Sequence, residues 1–258
     1  MSVRPLPAES IPEQRLRELR LIASDVDDTL TQDGKLRADV LDTIARLREA
    51  GVAVWLVTGR CASWGQALSR YLEVDGVIAE NGGAICQEEQ IEVLADRSLI
   101  GPRRDRLAAV YEAIRRRIPA ARETEDNIGR ITDFTFARPP LTPEEVALAT
   151  DLAAEQGVRV VTSSIHVHLC AGNHDKGTAL AAVCERAGIA DRETVLTLGD
   201  SPNDAPLFDP ARFPFSVGVA NVAQALDSLP AKPLFVIPHA QAEGALWLFR
   251  RILVSRGR

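Results

Sequence analysis

At 258 residues, with 46% hydrophobic and 26% charged side chains, the chain has the composition of a globular protein large enough for two lobes. Its net charge of −6 gives no general attraction to nucleic-acid backbones or anionic membranes, and no apolar run reaches the roughly 20 residues of a membrane-spanning helix. Four scattered cysteines, Cys61, Cys86, Cys170 and Cys184, form no CxxC pair, which argues against a disulfide or zinc framework and for reduced thiols in a cytoplasmic protein.

The opening MSVRPLPAESIPEQR lacks the apolar stretch of a signal peptide and reads as a short, poorly ordered leader. LRLIAS (19–24) is a short apolar run that stops at the acidic cluster DVDDT, the pattern of a buried parallel strand. In the segment after it, Val40, Leu41, Ile44 and Leu47 recur at helical spacing, and Gly51 stands where a C-cap belongs. VAVWLV (52–57) is a second buried strand, ending in Thr58-Gly59-Arg60. A helix near 63–72 and a strand near 76–79 follow. This alternation predicts a doubly wound parallel α/β sheet.

The middle of the chain follows another pattern. A helix at 103–118, an alternating strand at 129–137, a helix at 143–156 and a hairpin turning at Ser163-Ser164 predict an α+β lobe inserted at 86–170. The parallel domain is then 1–85 and 171–258. It resumes with a helix at 176–187, TVLTLGD (194–200), a strand near 215–219, a helix near 221–227, LFVIP (234–238) and a last helix at 240–254.

Ligands of open α/β sheets bind beyond the carboxyl ends of the strands. There the sequence places Asp25, Asp27, Asp28 and Thr29 after the first strand and Thr58 after the second. Asp200 and Asp204 follow the strand at 194–198, and Lys176 opens a helix behind a predicted Asp175 N-cap. Two ionised carboxylates about 4 Å apart repel by roughly 4 kcal/mol at an effective dielectric near 20, so such a cluster calls for a cation. A few carboxylates plus substrate phosphate is the oxygen set that Mg²⁺ takes. Lys176 is one of only three lysines among 30 basic residues. A cation at a helix N-terminus opposes the helix dipole, which makes sense opposite a phosphate.

At DVDDT (25–29), Thr58 within LVTGR, Lys176 and GDSPND (199–204) the chain resembles the haloacid dehalogenase superfamily of phosphohydrolases. The position of the lobe, with Asn81-Gly82-Gly83 just before it, resembles the subclass with a C2-type cap. The resemblance implies that Asp25 attacks phosphorus and Asp27 exchanges the proton with the leaving oxygen and then with water. It implies that Thr58 and Lys176 hold the phosphoryl oxygens. It also implies that Mg²⁺ is bound by Asp25, the Asp27 carbonyl and Asp200, with Asp204 beside them. Where this chain has Asp28 the superfamily often has glycine. Asn81, Arg130, His166 and His168 are the candidates for substrate specificity. The expected substrate is a small phosphorylated metabolite, a sugar phosphate or phosphorylated sugar acid, with phosphoglycolate or a phosphomannomutase-like transfer as alternatives. Neither nucleic acid nor membrane is an expected partner. Lys176→Ala is expected to remove turnover with the fold intact.

Each residue also has a structural reading. Asp25 and Asp27 can satisfy loop N–H groups, and Lys176 can be a solvated surface lysine. Ser201-Pro202-Asn203-Asp204 is a good helix start in which Asp204 only caps. Arg115-Arg116-Arg117 reads as a solvated helix face, and His174 as packing at the lobe junction.

Overall fold

The computed structural model describes residues 4–94 and 100–258. The strands of the first half are β1 (Leu6–Pro7), β2 (Leu21–Ser24), β3 (Thr31–Gln32), β4 (Lys35–Leu36), β5 (Ala53–Val57), β6 (Gly76–Ala79), β7 (Ala84–Gln87) and β8 (Gln90–Val93). Between them lie α1 (Glu13–Arg17), α2 (Ala38–Glu49) and α3 (Ala62–Tyr71). The middle contributes α4 (Ile100–Arg117), β9 (Asp133–Ala137), α5 (Pro143–Ala154), β10 (Arg159–Thr162) and β11 (His166–Cys170). The last part holds α6 (Lys176–Arg186), β12 (Val195–Gly199), β13 (Ser216–Gly218), β14 (Phe235–Val236) and α7 (Gln241–Ser255).

Nine strands form one sheet in the order β1-β14-β13-β12-β2-β5-β6-β7-β8, parallel from β1 to β6 and antiparallel at the β7–β8 edge. Its central strands are buried on both faces, so they read as continuous apolar runs. Ile22, Val54 and Leu56 face Val40, Ile44, Leu246 and Phe249 on α2 and α7. Leu21, Ala23 and Val57 face Leu180 and Val183 on α6. The helix ends follow local chemistry. Gly51 takes φ 79° after α2, and Val52 N–H returns to the Leu47 carbonyl. Asp175 caps α6 by accepting from Thr178 N–H at 2.6 Å. The four cysteines are buried free thiols.

A second sheet, β10-β11-β9, is antiparallel and is covered by α4 and α5 around Leu107, Tyr111, Ile114, Phe136 and Val167. The β10–β11 hairpin turns at Ser163-Ser164 as expected. Three sequence expectations need correction. Residues 86–93 pair in the large sheet, because β7 and β8 continue it as a meander, so the small sheet's layer starts later than 86. The described residues of the leader are ordered, its first three lying outside them: Leu6 N–H bonds the Leu234 carbonyl, and Arg251 Nη1 donates to the Ala8 carbonyl at 2.7 Å. The helix near 221–227 is a short 3-10 turn, Ala220–Gln224. No helix among the described residues is long and apolar enough to cross a membrane.

Candidate active site

Strand register brings the motifs together. Ser24 pairs with Leu198 on one side and Leu56 on the other, so Asp25 emerges between Gly199-Asp200 and Val57-Thr58. Asp25 N–H donates to the Leu198 carbonyl at 2.8 Å. The α6 N-terminus is pressed against the loop after β6 because Gly82, at φ 101°, has no Cβ; one there would lie 2.2 Å from the Asp175 carbonyl oxygen.

Lys176 is fully buried, which excludes the solvated-lysine reading. Its Nζ donates to Asp25 Oδ1 at 2.5 Å and to Asp204 Oδ1 at 2.6 Å. Burial opposes its charge, but the two carboxylates raise its pKa, so it stays an ammonium. Burial pushes the Asp25 carboxyl well above the usual range; Lys176 opposes this, and Asp204, Asp200 and Asp27 reinforce it. Asp204 also accepts from the backbone N–H groups of Asp200 and Ser201, both at 3.0 Å. The capping box is therefore present, and the same side chain meets Lys176.

Asp200 accepts from Thr29 Oγ1 on one oxygen and from Asn221 Nδ2 on the other, each at 2.9 Å. Burial, reinforced by Asp204, pushes it up to about 7. Carboxylate oxygens of Asp25, Asp200 and Asp204 lie within 4.8 Å of one another. That is a hard-oxygen donor set with excess negative charge, and it fits a divalent cation such as Mg²⁺. The Asp27 side chain points elsewhere: Arg60 holds it with Nε 2.9 Å from Oδ2 and Nη2 2.6 Å from Oδ1. Thr58 is buried and accepts from Arg60 N–H at 3.0 Å.

Asp28 takes φ 59°, a left-handed conformation that costs an L-residue roughly 1–2 kcal/mol and explains a preference for glycine there. Its carboxylate turns to Gln241 Nε2 at 3.0 Å, and its carbonyl accepts from Asn221.

The β10–β11 hairpin roofs the site: Ser163, Ser164, Ile165 and His166 line one small cavity with Asp25, Asp27 and Arg60. Burial pushes His166 down to about 4, so it is neutral at pH 7. Of the other specificity candidates, Asn81 accepts from Asn203 Nδ2 at 2.9 Å, and its own Nδ2 is buried without a partner. The His168 Nε2 is likewise buried and unpaired, and a Cβ on Gly59 would lie 3.2 Å from it and 3.3 Å from Asn81 Nδ2. His168 Nδ1 bonds Asp133 at 2.8 Å.

Arg130 does not present its fork to the cavity. Nη1 bonds the Gly59 carbonyl and Asp133, while Nε and Nη2 bond Asp126, and the side chain is fully buried. Burial opposes ionisation of Asp133, yet Arg130 and His168 hold it at about 2. Arg130 is thus a clasp between the small lobe and the turn after β5, in place of the substrate contact expected of it.

Three residues had no assigned role in the sequence reading: Arg60, Asn221 and Glu80. Glu80, buried at φ 51°, accepts from the N–H groups of Ala62, Ile131 and Thr132 and from Thr132 Oγ1. It ties the linker into the small lobe to the start of α3. The only sequence trace of Arg60 is its place after Thr58-Gly59.

The family model of haloacid dehalogenase-like hydrolases matches residues 22–128 and 147–245. A protein of Methanopyrus kandleri named phosphoglycolate phosphatase is 30% identical over 239 residues, which is 90% of this chain and 97% of that protein. Another of that name from Halobacterium salinarum is 31% identical over 78% of this chain and 84% of its own. The crystal structure of Thermoplasma acidophilum 0175 superposes with a TM-score of 0.73 at 24% identity, covering 91% of this chain and 98% of that one. The sucrose-phosphatase of Synechocystis, solved with sucrose and phosphate, superposes with a TM-score of 0.68 at 20% identity, over 92% and 98%. These two likenesses speak to fold alone.

Proposed function

The chain belongs to the haloacid dehalogenase-like hydrolase family and is a phosphatase of small phosphorylated compounds, and we propose that its substrate is a short phosphorylated acid, 2-phosphoglycolate, cleaved through an aspartyl phosphate on Asp25 with Mg²⁺ bound. The observation that carries this is the buried meeting of Asp25, Lys176, Asp200 and Asp204 beneath the Ser163–His166 hairpin. Asp25 turns one oxygen to Lys176 and offers the other to phosphorus. The Asp25–phosphorus bond forms as the ester bond breaks, and Asp27 gives its proton to the leaving oxygen. Water then attacks phosphorus, Asp27 takes its proton, and Asp25 is released with inorganic phosphate. Lys176 and the Thr58 turn hold the non-bridging oxygens. Asp25, Asp200 and the Asp27 carbonyl would hold Mg²⁺, with Asp204 fixing Lys176 and the Asp200 loop behind them. The ion's contribution is to neutralise charge on the phosphoryl oxygens.

The sequence alone favours a sugar phosphate or phosphorylated sugar acid, with phosphoglycolate or a phosphomannomutase-like transfer as alternatives. The names of the relatives and the close roof both support the smaller substrate. Measuring Mg²⁺-dependent phosphate release from 2-phosphoglycolate and a panel of sugar phosphates tests this. The expected result is highest kcat/KM on phosphoglycolate and none with Asp25→Asn. Faster release from hexose phosphates than from phosphoglycolate would overturn the substrate assignment.

A further inference from the structure

Arg60 grips both oxygens of Asp27. A carboxylate held on both prongs of a guanidinium has no oxygen placed for a leaving group, so at least one bond must open during turnover. The Arg60 side chain is 24% exposed and lies over the Trp64 ring at 4.9 Å, a flat surface along which a planar cation can slide. It is also the one charged donor lining the cavity among the described residues, since Arg130 is engaged by Asp126, Asp133 and Gly59, and His166 is neutral.

We propose that Arg60 selects phosphate esters carrying a second anion, and that the substrate's carboxylate takes the place of Asp27 on its fork. In a 2-phosphorylated acid, one carbon separates the ester oxygen from the carboxylate. The side chain that meets the ester oxygen therefore has the substrate carboxylate as its neighbour. One carboxylate is exchanged for another on the guanidinium, and the displaced Asp27 takes up a proton from water as it leaves Arg60, so neither side chain is left with an unpaired charge and Asp27 faces the leaving oxygen with the proton it will give. A neutral ester of the same size leaves Asp27 clasped. Arg60 thus both seats the anionic end and frees Asp27. This rests on the reading above that Asp27 exchanges the proton.

The test compares 2-phosphoglycolate with 2-hydroxyethyl phosphate, the same skeleton with a neutral end, in wild type, Arg60→Gln and Arg60→Lys, with thermal melts of all three. p-Nitrophenyl phosphate, whose leaving group needs little protonation, is the third substrate. Wild type is expected to prefer the acid by at least ~100-fold in kcat/KM, and Arg60→Gln to shrink that preference to within ~5-fold. Arg60→Lys, with charge but no fork, is expected to fall between. A wild-type preference near unity overturns the inference, as does a variant that lowers both substrates equally and keeps the ratio. No Mg²⁺-dependent release from any of the three by wild type would instead overturn the phosphatase reading beneath it.

Discussion

The Lys176 ammonium stands 2.5 Å from the Asp25 carboxylate, and both side chains are buried. A buried ion pair contributes little net stability while intact, but removing one partner costs about 3–5 kcal/mol because the other is left uncompensated. Lys176→Met should therefore lower metal-free stability by about that much in urea titrations. It should also lower kcat by ~10²–10³-fold through loss of a transition-state contact. The sequence alone suggested a loss of turnover with the fold untouched; burial of Lys176 between Asp25 and Asp204 adds the stability loss. Wild-type stability in the variant would contradict the pairing.

The shift of Asp200 up to about 7 has a definite sign. An unfolded aspartate titrates near ~3.9, so between that value and about 7 the metal-free folded state holds the extra proton. Metal-free stability should then fall as pH rises from about 4 to 7, by on the order of 4 kcal/mol, and level off above. Mg²⁺ binding requires the carboxylate, so its apparent affinity should rise up to tenfold per pH unit over the same window. Calorimetric Mg²⁺ titrations at pH 5.5, 6.5 and 7.5, with melts in EDTA, check both slopes. Affinity independent of pH would refute the assignment.

Glu80 accepts hydrogen bonds from four donors and holds the entry to the small lobe. Glu80→Ala leaves buried donors at Ala62, Ile131 and Thr132 unpaired, at a cost of about 2–4 kcal/mol. The expected outcome is faster amide exchange at Ile131 and Thr132 and a higher KM. Exchange unchanged at those two amides would show that the linker is held by other contacts.

Asp28 combines a left-handed backbone with a carboxylate that helps push Asp200 up. Asp28→Gly relieves roughly 1 kcal/mol of backbone strain and loses a hydrogen bond to Gln241 of similar worth, so stability should stay within ~1 kcal/mol. The pH midpoint of Mg²⁺ binding should move down, because one negative neighbour is gone. A midpoint that stays or rises would contradict this.

The parallel sheet was legible because both its faces are covered, which turns β2, β5 and β12 into apolar runs that end in Asp25, Thr58 and Asp200. That Asp25, Lys176 and Asp200 come together could be read from their place at strand and helix ends. Arg60, Glu80 and Asn221 could not, because each acts through a partner distant in sequence: Asp27, Thr132 and Asp200. Arg130 was misread for the same reason. A polar loop before a strand looks open to ligands until its acceptors, Asp126, Asp133 and the Gly59 carbonyl, fold around it. The ordered leader was hidden too, since Leu6–Pro7 pairs with β14, a strand far along the chain.

The account centres on Asp25 as the atom donor to phosphorus. Acid quenching during turnover of 2-phosphoglycolate, followed by borohydride reduction and peptide mass analysis, reads that directly. Reduction of an acyl phosphate converts the aspartate to homoserine, and the account predicts this at position 25 alone. Reduction at another carboxylate, or no reducible phosphoryl-enzyme while phosphate is being released, would contradict it.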